Sequence, residues 1–165
     1  IEENLNKVLK RVVELGDTKK TMTAADLPLI ITDVLETSET QRIELLNCSI
    51  SSGFNLKATA TIQMKIDSME FREVGSGNGG YDAFMSAVNK ILKRLNIKLP
   101  ELVDYQIRIP RGGKTNALTE AIITWQVNGK RLQTIGIDSD QVLAAVNATL
   151  KLLNLQLLQK DVQKQ

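Results

Sequence analysis

The chain has 165 residues, 42% of them hydrophobic, with a formal net charge of +2 and no histidine. A near-neutral balance without a basic run interleaved with aromatics excludes a nucleic-acid surface, and no apolar stretch approaches the ~18 residues that read as a membrane span. Without histidine there is no His-based metal site and no Ser–His or Cys–His pair, and no carboxylate or lysine cluster replaces them, so the residues offer neither a catalytic centre nor a metal site.

From the N-terminus, Leu5, Val8, Leu9, Val12, Val13 and Leu15 recur at helical spacing and Gly16 ends the run. The opening residue, Ile1, already lies inside this pattern, which reads as a segment cut from a longer protein. Thr23 and Asp26 read as the cap of a second helix through Leu27, Ile30, Ile31, Val34 and Leu35, with Pro28 disturbing its first turn. Two short helices cannot bury these faces against each other alone, so residues 1–36 are expected as a small helical subdomain that docks elsewhere. Residues 37–41 are polar and read as a linker.

From Arg42 the period changes to two. Ala58, Ala60, Ile62, Met64 and Ile66 alternate with Thr59, Thr61, Gln63, Lys65 and Asp67, the pattern of a strand with one polar face. The lone Cys48 lies in an apolar, strand-like run and reads as a small buried hydrophobe. One cysteine and no signal-peptide pattern suit a reducing, cytoplasmic compartment. Asp67-Ser68 turns the chain into a strand over 69–74, and then four of the ten glycines fall within residues 75–80. A helix follows at once, carried by Phe84, Ala87, Val88, Ile91, Leu92 and Leu95.

A glycine-rich turn that opens a helix directs unpaired N–H groups outward, where the helix dipole favours an anion. Gly75, Gly77 and Gly80 match G-x-G-x-x-G, but a dinucleotide site needs a buried parallel strand before the glycines and an acidic residue closing the next strand. Here residues 69–74 carry charges on a half-exposed strand, and Glu101 precedes a strand instead of ending one. The nucleotide reading is set aside.

After Pro100 the same order recurs: strands over 102–110, 118–127 and 131–137, an Asn128-Gly129 hairpin turn and a helix over 141–154 on Val142, Val146, Leu150 and Leu153. Glu44-Leu45-Leu46-Asn47 aligns with Glu101-Leu102-Val103-Asp104, an offset of 57 between Glu44 and Glu101. Asp82 aligns with Asp140, and the helix run from Ser86 with the run from Ala144, an offset of 58, so the repeat slips by one residue across the loop. The expected fold is therefore α+β: a duplicated βββα unit over 42–158 (repeats 42–96 and 101–155) whose antiparallel sheets carry helices on one side. The two-helix linker precedes it, and a tail over 159–165 frays. Trp125, mid-strand, reads as core or dimer contact.

The run Gly77-Asn78-Gly79-Gly80-Tyr81-Asp82-Ala83, with Leu102-Val103-Asp104-Tyr105, Gly112-Gly113-Lys114-Thr115-Asn116-Ala117 and Gly136-Ile137-Asp138-Ser139-Asp140, resembles the C-terminal allosteric domain of the 2-isopropylmalate synthase and citramalate synthase family. Asn4-Leu5-Asn6-Lys7-Val8-Leu9 and Ala25-Asp26-Leu27 resemble the linker subdomain that joins this domain to the family's catalytic barrel. The resemblance covers nearly the whole chain. It implies a regulatory piece, without a cofactor of its own, of an acetyl-CoA-dependent acyltransferase whose barrel holds a divalent metal. It further implies a homodimer that senses leucine or isoleucine, the effector lying against the glycine loop and the strand opening the second repeat.

Carried over residue by residue, Gly79, Gly80, Tyr81 and Asp82 match the loop and helix start that meet the effector's polar end. Leu102, Tyr105 and Ile109 match the strand lining its side chain, Thr115 or Asn116 the loop after that strand, and Ser139 with Gln141 the second loop-to-helix turn. Many relatives have proline where this chain has Gly80, and Tyr81 adds a large ring beside it. The chemistry is compatible: the loop supplies N–H donors for a carboxylate, Asp82 is either a partner for an ammonium or a helix cap, and Leu102 and Ile109 are apolar. A module that only dimerises, with no ligand, is the competing reading.

Overall fold

The computed structural model describes residues 29–31, 41–109 and 118–163. The chain divides into two compact units, Arg42–Leu99 and the part from Pro100 onward together with the short strand β1 (Leu29–Ile31).

In the first unit β2 (Ile43–Gly53), β3 (Leu56–Ile66) and β4 (Met69–Gly77) form an antiparallel sheet in that order, followed by helix α1 (Gly80–Arg94). The alternation in β3 does what period two requires. Ala58, Ala60, Ile62, Met64 and Ile66 are all buried, while Lys57, Thr59 and Thr61 face solvent. Helix α1 lies over β3 and β4 and closes the core with Ala83, Phe84, Ala87, Val88, Ile91 and Leu92. Each large apolar side chain fully buried here contributes about 1.5–3 kcal/mol of transfer free energy. The turns use asparagine and aspartate in left-handed backbone, Asn55 at φ 59° and Asp67 at φ 54°. Arg42 pins the second of these turns through Nε to Asp67 Oδ1 and Nη2 to Oδ2, both 2.8 Å. The helix ends in a Schellman motif: the Ile97 N–H donates to Leu92 O, the Asn96 N–H to Lys93 O, and Asn96 takes the left-handed position at φ 53°.

In the second unit β5 (Glu101–Arg108), β6 (Thr119–Val127) and β7 (Lys130–Asp138) are antiparallel and α2 (Gln141–Gln163) follows. The duplicated βββα unit expected from the sequence is what the chain forms. Asn128 and Gly129 turn the β6–β7 hairpin with φ of 49° and 76°, the double positive that this dipeptide favours. Trp125 is fully buried, and its Nε1 donates to Thr134 Oγ1 at 2.9 Å, so it belongs to the core of this unit.

Two expectations are corrected. Leu29, Ile30 and Ile31 form a strand, not part of a helix: β1 pairs parallel with β7, giving the sheet order β1-β7-β6-β5. Pro28 and two β-branched isoleucines favour extended backbone, and the outer edge of β7 supplies the hydrogen bonds that a helix would have made internally. The rest of the proposed helical linker, with residues 32–36, lies outside the described residues.

The second correction concerns the repeat. Its front offset of 57 holds, because the pairs Leu45 with Met64 and Leu102 with Trp125 are equivalent and each is followed by a bulge, at Leu46 and at Val103. The helices, however, correspond at an offset of 61. Ala60 pairs with Gly75 and Ala121 with Gly136. A Cβ on Gly75 would overlap Ala83 O and Ala87 N, and one on Gly136 would overlap Ala144 O and Ala148 N. These four positions match one to one across the two units, 61 apart. The change from 57 to 61 falls in the first hairpin, between the cross-strand pair Ser51–Thr59 in one unit and Arg108–Glu120 in the other. An offset of 58 differs from 61 by three residues, close to one helical turn, so sliding one helix by three leaves its apolar face in place.

Candidate functional site

The corrected register aligns the two mouths where a sheet passes into its helix. Gly77-Asn78-Gly79-Gly80 in the first unit corresponds to Asp138-Ser139-Asp140-Gln141 in the second. Asp82 consequently has no counterpart in Asp140; the residue equivalent to Asp140 is Gly79. The Ala83 N–H donates to Gly79 O at 3.0 Å and the Ala144 N–H donates to Asp140 O at 2.9 Å.

At the first mouth Gly79 is the N-cap, in extended backbone, and caps α1 with no side chain. A Cβ on Gly79 would meet nothing within 4 Å, so space lies open in front of it. Gly80 and Tyr81 are half-buried, and the Tyr81 ring stacks on Phe84 with centroids 6.2 Å apart. Tyr81 thus braces the helix start against the core. Asp82 is exposed, and its Oδ2 accepts the Asn78 N–H at 2.9 Å. This is the reach of a third helical residue back to the turn before the cap, close to a capping box. Gly77 is required there, since a Cβ would overlap the Asp82 carboxylate. Asp82 therefore acts as a helix-start brace.

At the second mouth carboxylates fill the donors. Asp140 Oδ1 accepts the N–H groups of Val142 and Leu143 at 2.8 and 3.0 Å, and Asp138 Oδ1 accepts the Asp140 N–H at 2.9 Å. Ser139 and Gln141 are exposed beside them. Tyr105 lies near this mouth. Burial first, and then the negative Asp140, push its phenol above the usual tyrosine range, so it stays a neutral donor and acceptor at physiological pH. Leu102 and Tyr105 sit opposite Trp125 and Ile123 and so share their face of the sheet. Yet α2 packs on β6 and β7, and Leu102 stays 39% exposed. Ile109, just past β5, is 60% exposed.

The structure thus brings Tyr105, Ser139 and Gln141 to one end of the second unit and Gly79, Gly80, Tyr81 and Asp82 to the equivalent end of the first. Thr115 and Asn116 lie outside the described residues. Sequence reading did not single out Asp138 and Asp140 as site residues. Their signal was present, as an Asp-x-Asp just ahead of an apolar helix is an N-cap signature. Cys48 is half-buried, not buried, and burial pushes its thiol up, which keeps it protonated. Among the described residues no three of His, Cys, Asp or Glu converge as metal ligands, and no helix is long and apolar enough to cross a membrane.

Comparison with known proteins places these features. The family description "LeuA allosteric (dimerisation) domain" matches residues 21–157. A protein of Archaeoglobus fulgidus, provisionally named (R)-citramalate synthase CimA, is 31% identical over 154 residues, covering 93% of this chain and 31% of that protein. The 2-isopropylmalate synthase of Aquifex aeolicus is 29% identical over 161 residues, 97% of this chain and 30% of its own length. That of Syntrophus aciditrophicus is 31% identical over 164 residues, 99% of this chain and 31% of its own. The chain therefore spans less than a third of each of these relatives.

Proposed function

The chain belongs to the LeuA allosteric (dimerisation) domain family, and on that premise we propose that it is the regulatory part of a 2-isopropylmalate synthase, binding leucine for feedback inhibition. The match over residues 21–157 carries this reading. In it the chain works as a homodimer in the cytoplasm, joined to a catalytic barrel that condenses acetyl-CoA with a 2-oxo acid and holds the divalent metal. This segment itself transfers no acyl group.

The effector contacts are assigned unit by unit. In the first, residues 79–82 present the uncapped helix start to the amino acid's carboxylate, an arrangement favoured by the helix dipole. In the second, Leu102, Tyr105 and Ile109 offer apolar area and a phenol, Ser139 and Gln141 offer polar groups, and Thr115 or Asn116 completes the set. Asp82 has one carboxylate oxygen on Asn78 and the other available to an ammonium. A regulatory domain of a citramalate synthase, sensing isoleucine, is the second reading; the Archaeoglobus protein supports it at 31% identity, the same figure that the Syntrophus 2-isopropylmalate synthase gives the first.

A thermal-shift screen of the twenty amino acids on the full chain tests the proposal, because a ligand bound only by the folded state raises Tm. Leucine should give the largest rise, with isoleucine ahead of it under the second reading. No rise with either at millimolar concentration, from a protein that light scattering shows to be dimeric, leaves only a dimerisation module. A monomer would remove the dimer as well.

A further inference from the structure

The two units end their helices differently, and a groove lies at the helix end of the first unit. Helix α1 stops at Arg94, whereas α2 runs to Gln163, well past the equivalent position, and buries Asn154, Leu155 and Leu157 there. Where α1 stops, the Schellman turn at Asn96 folds the chain back and leaves a groove of about 500 Å³ lined by Asn89, Lys93, Asn96, Ile97, Lys98 and Leu99. That is the size of a small-molecule site.

The lining is chemically biased. Four cations gather around the end of α1. Two are committed to the protein: Lys90 Nζ donates to Val74 O at 2.6 Å and Arg94 pairs with Glu73. The other two, Lys93 and Lys98, are exposed and have no carboxylate partner among the described residues; the Asn89 amide also makes no hydrogen bond there. No acidic side chain lines the groove, while Ile97 and Leu99 supply half-buried hydrocarbon. The two free ammoniums stand on different arms, one on the last helical turn and the other beyond the left-handed residue. Two positive heads on separate arms over an apolar floor match a ligand with two separated negative charges and a short hydrocarbon body.

We propose that this groove is a second ligand site, distinct from the amino-acid site, and that it takes a small alkyl-substituted dicarboxylate. Lys93 and Lys98 each meet one carboxylate, Asn89 donates an amide N–H, and Ile97 with Leu99 cover the alkyl group. A zwitterionic amino acid is the wrong partner, since its ammonium would face two lysines with no acceptor carboxylate. The site stands apart from the other mouth of α1, because the fifteen residues of the helix separate the two by about 20 Å. It does not rest on the reading of that mouth.

The test titrates 2,2-dimethylsuccinate, succinate and sulfate in turn into the isotopically labelled full chain and follows the amide resonances by NMR. The dimethyl dicarboxylate should give saturable shifts at Asn89, Asn96 and Ile97, with tighter binding than succinate or sulfate, and should leave residues 79–82 unmoved. Lys93→Gln and Lys98→Gln should each weaken it by about three- to fivefold, the range of an exposed charge contact, and the double variant should abolish saturation. Lys57→Gln, on β3, should change nothing. Shifts that never saturate, sulfate binding as tightly as the dicarboxylate, or full binding by the double variant would each overturn the proposal. Leucine titrated in parallel reads the other end of α1, so failure of one site is distinguishable from failure of the other.

Discussion

In the first unit Lys90 reaches over the sheet to the Val74 carbonyl, and in the second Lys151 reaches the Ile135 carbonyl at 2.7 Å. Beneath both, two alanines of the helix and a glycine–alanine pair of the sheet meet backbone to backbone: Ala60, Gly75, Ala83 and Ala87 in one unit, Ala121, Gly136, Ala144 and Ala148 in the other. These contacts hold a helix against its sheet at the closest distance that side chains permit, and both halves retain them. The halves part at the two ends of the helix. The first unit has a glycine at its N-cap and a short helix; the second has an aspartate cap and a long helix that buries Leu155 and Leu157 at and beyond the point where the first one ends. The comparison teaches where the duplicated framework can vary without loss of the fold. Packing under the helix is common to both units, and the helix ends are where the two units differ.

The framework half of this comparison breaks most visibly at the glycines. Gly75→Ala and Gly136→Ala each put a Cβ into helix backbone, which cannot give way as a flexible side chain would. Each should cost about 2–4 kcal/mol, at the upper end for overpacking, as read by urea unfolding. If either variant keeps wild-type stability, the shared contact is not what holds the helix in place.

The helix ends should respond oppositely in the two units. Asp140→Ala removes an N-cap that satisfies two N–H groups and should cost about 1 kcal/mol. Gly79→Ser adds a cap where the added Cβ has free space and the backbone is extended, so it should raise stability by about 0.5–1 kcal/mol. Under the proposed function the same Gly79→Ser change should also weaken leucine binding in calorimetry, because its hydroxyl takes the donors meant for the carboxylate. A more stable variant that binds leucine as well as the wild type would place the carboxylate elsewhere.

The smallest effect belongs to the ion pair at the second turn of the first unit. The hydrogen bond and charge of Arg42 hold the Asp67 carboxyl below its usual range. Its folded pKa is therefore lower than its unfolded one, so the pair contributes stability above the unfolded value near 4, and that stability is lost as pH falls through the folded value. Both groups are partly exposed, so the contribution at pH 7 is below about 1 kcal/mol. Arg42→Ala should lower stability by that amount at pH 7 and by less at pH 3, as chemical denaturation at the two pH values would show. An equal loss at both would mean that Arg42 acts through packing and not through its charge.

The local chemistry of this chain was legible in its residues. Alternation in β3, the Asn128-Gly129 hairpin, the apolar faces of both helices and the front of the repeat follow from periods of two and 3.6 and from backbone preferences that each residue carries with it. The start of each helix was legible too, from the glycine run with Asp82 at the first mouth, while Asp138 and Asp140 carried the same signal at the second and were not singled out as site residues. Tertiary structure alone decided the rest. Leu29, Ile30 and Ile31 suit helix or strand by pattern, and only the free edge of β7, a hundred residues further along, makes them a strand. The helix register of the repeat was hidden for a related reason. A shift of three residues returns a helix to nearly the same face, so the apolar pattern accepts 58 as readily as 61. The contact of Gly75 and Gly136 with helix backbone is a distance in space, and it admits only the second.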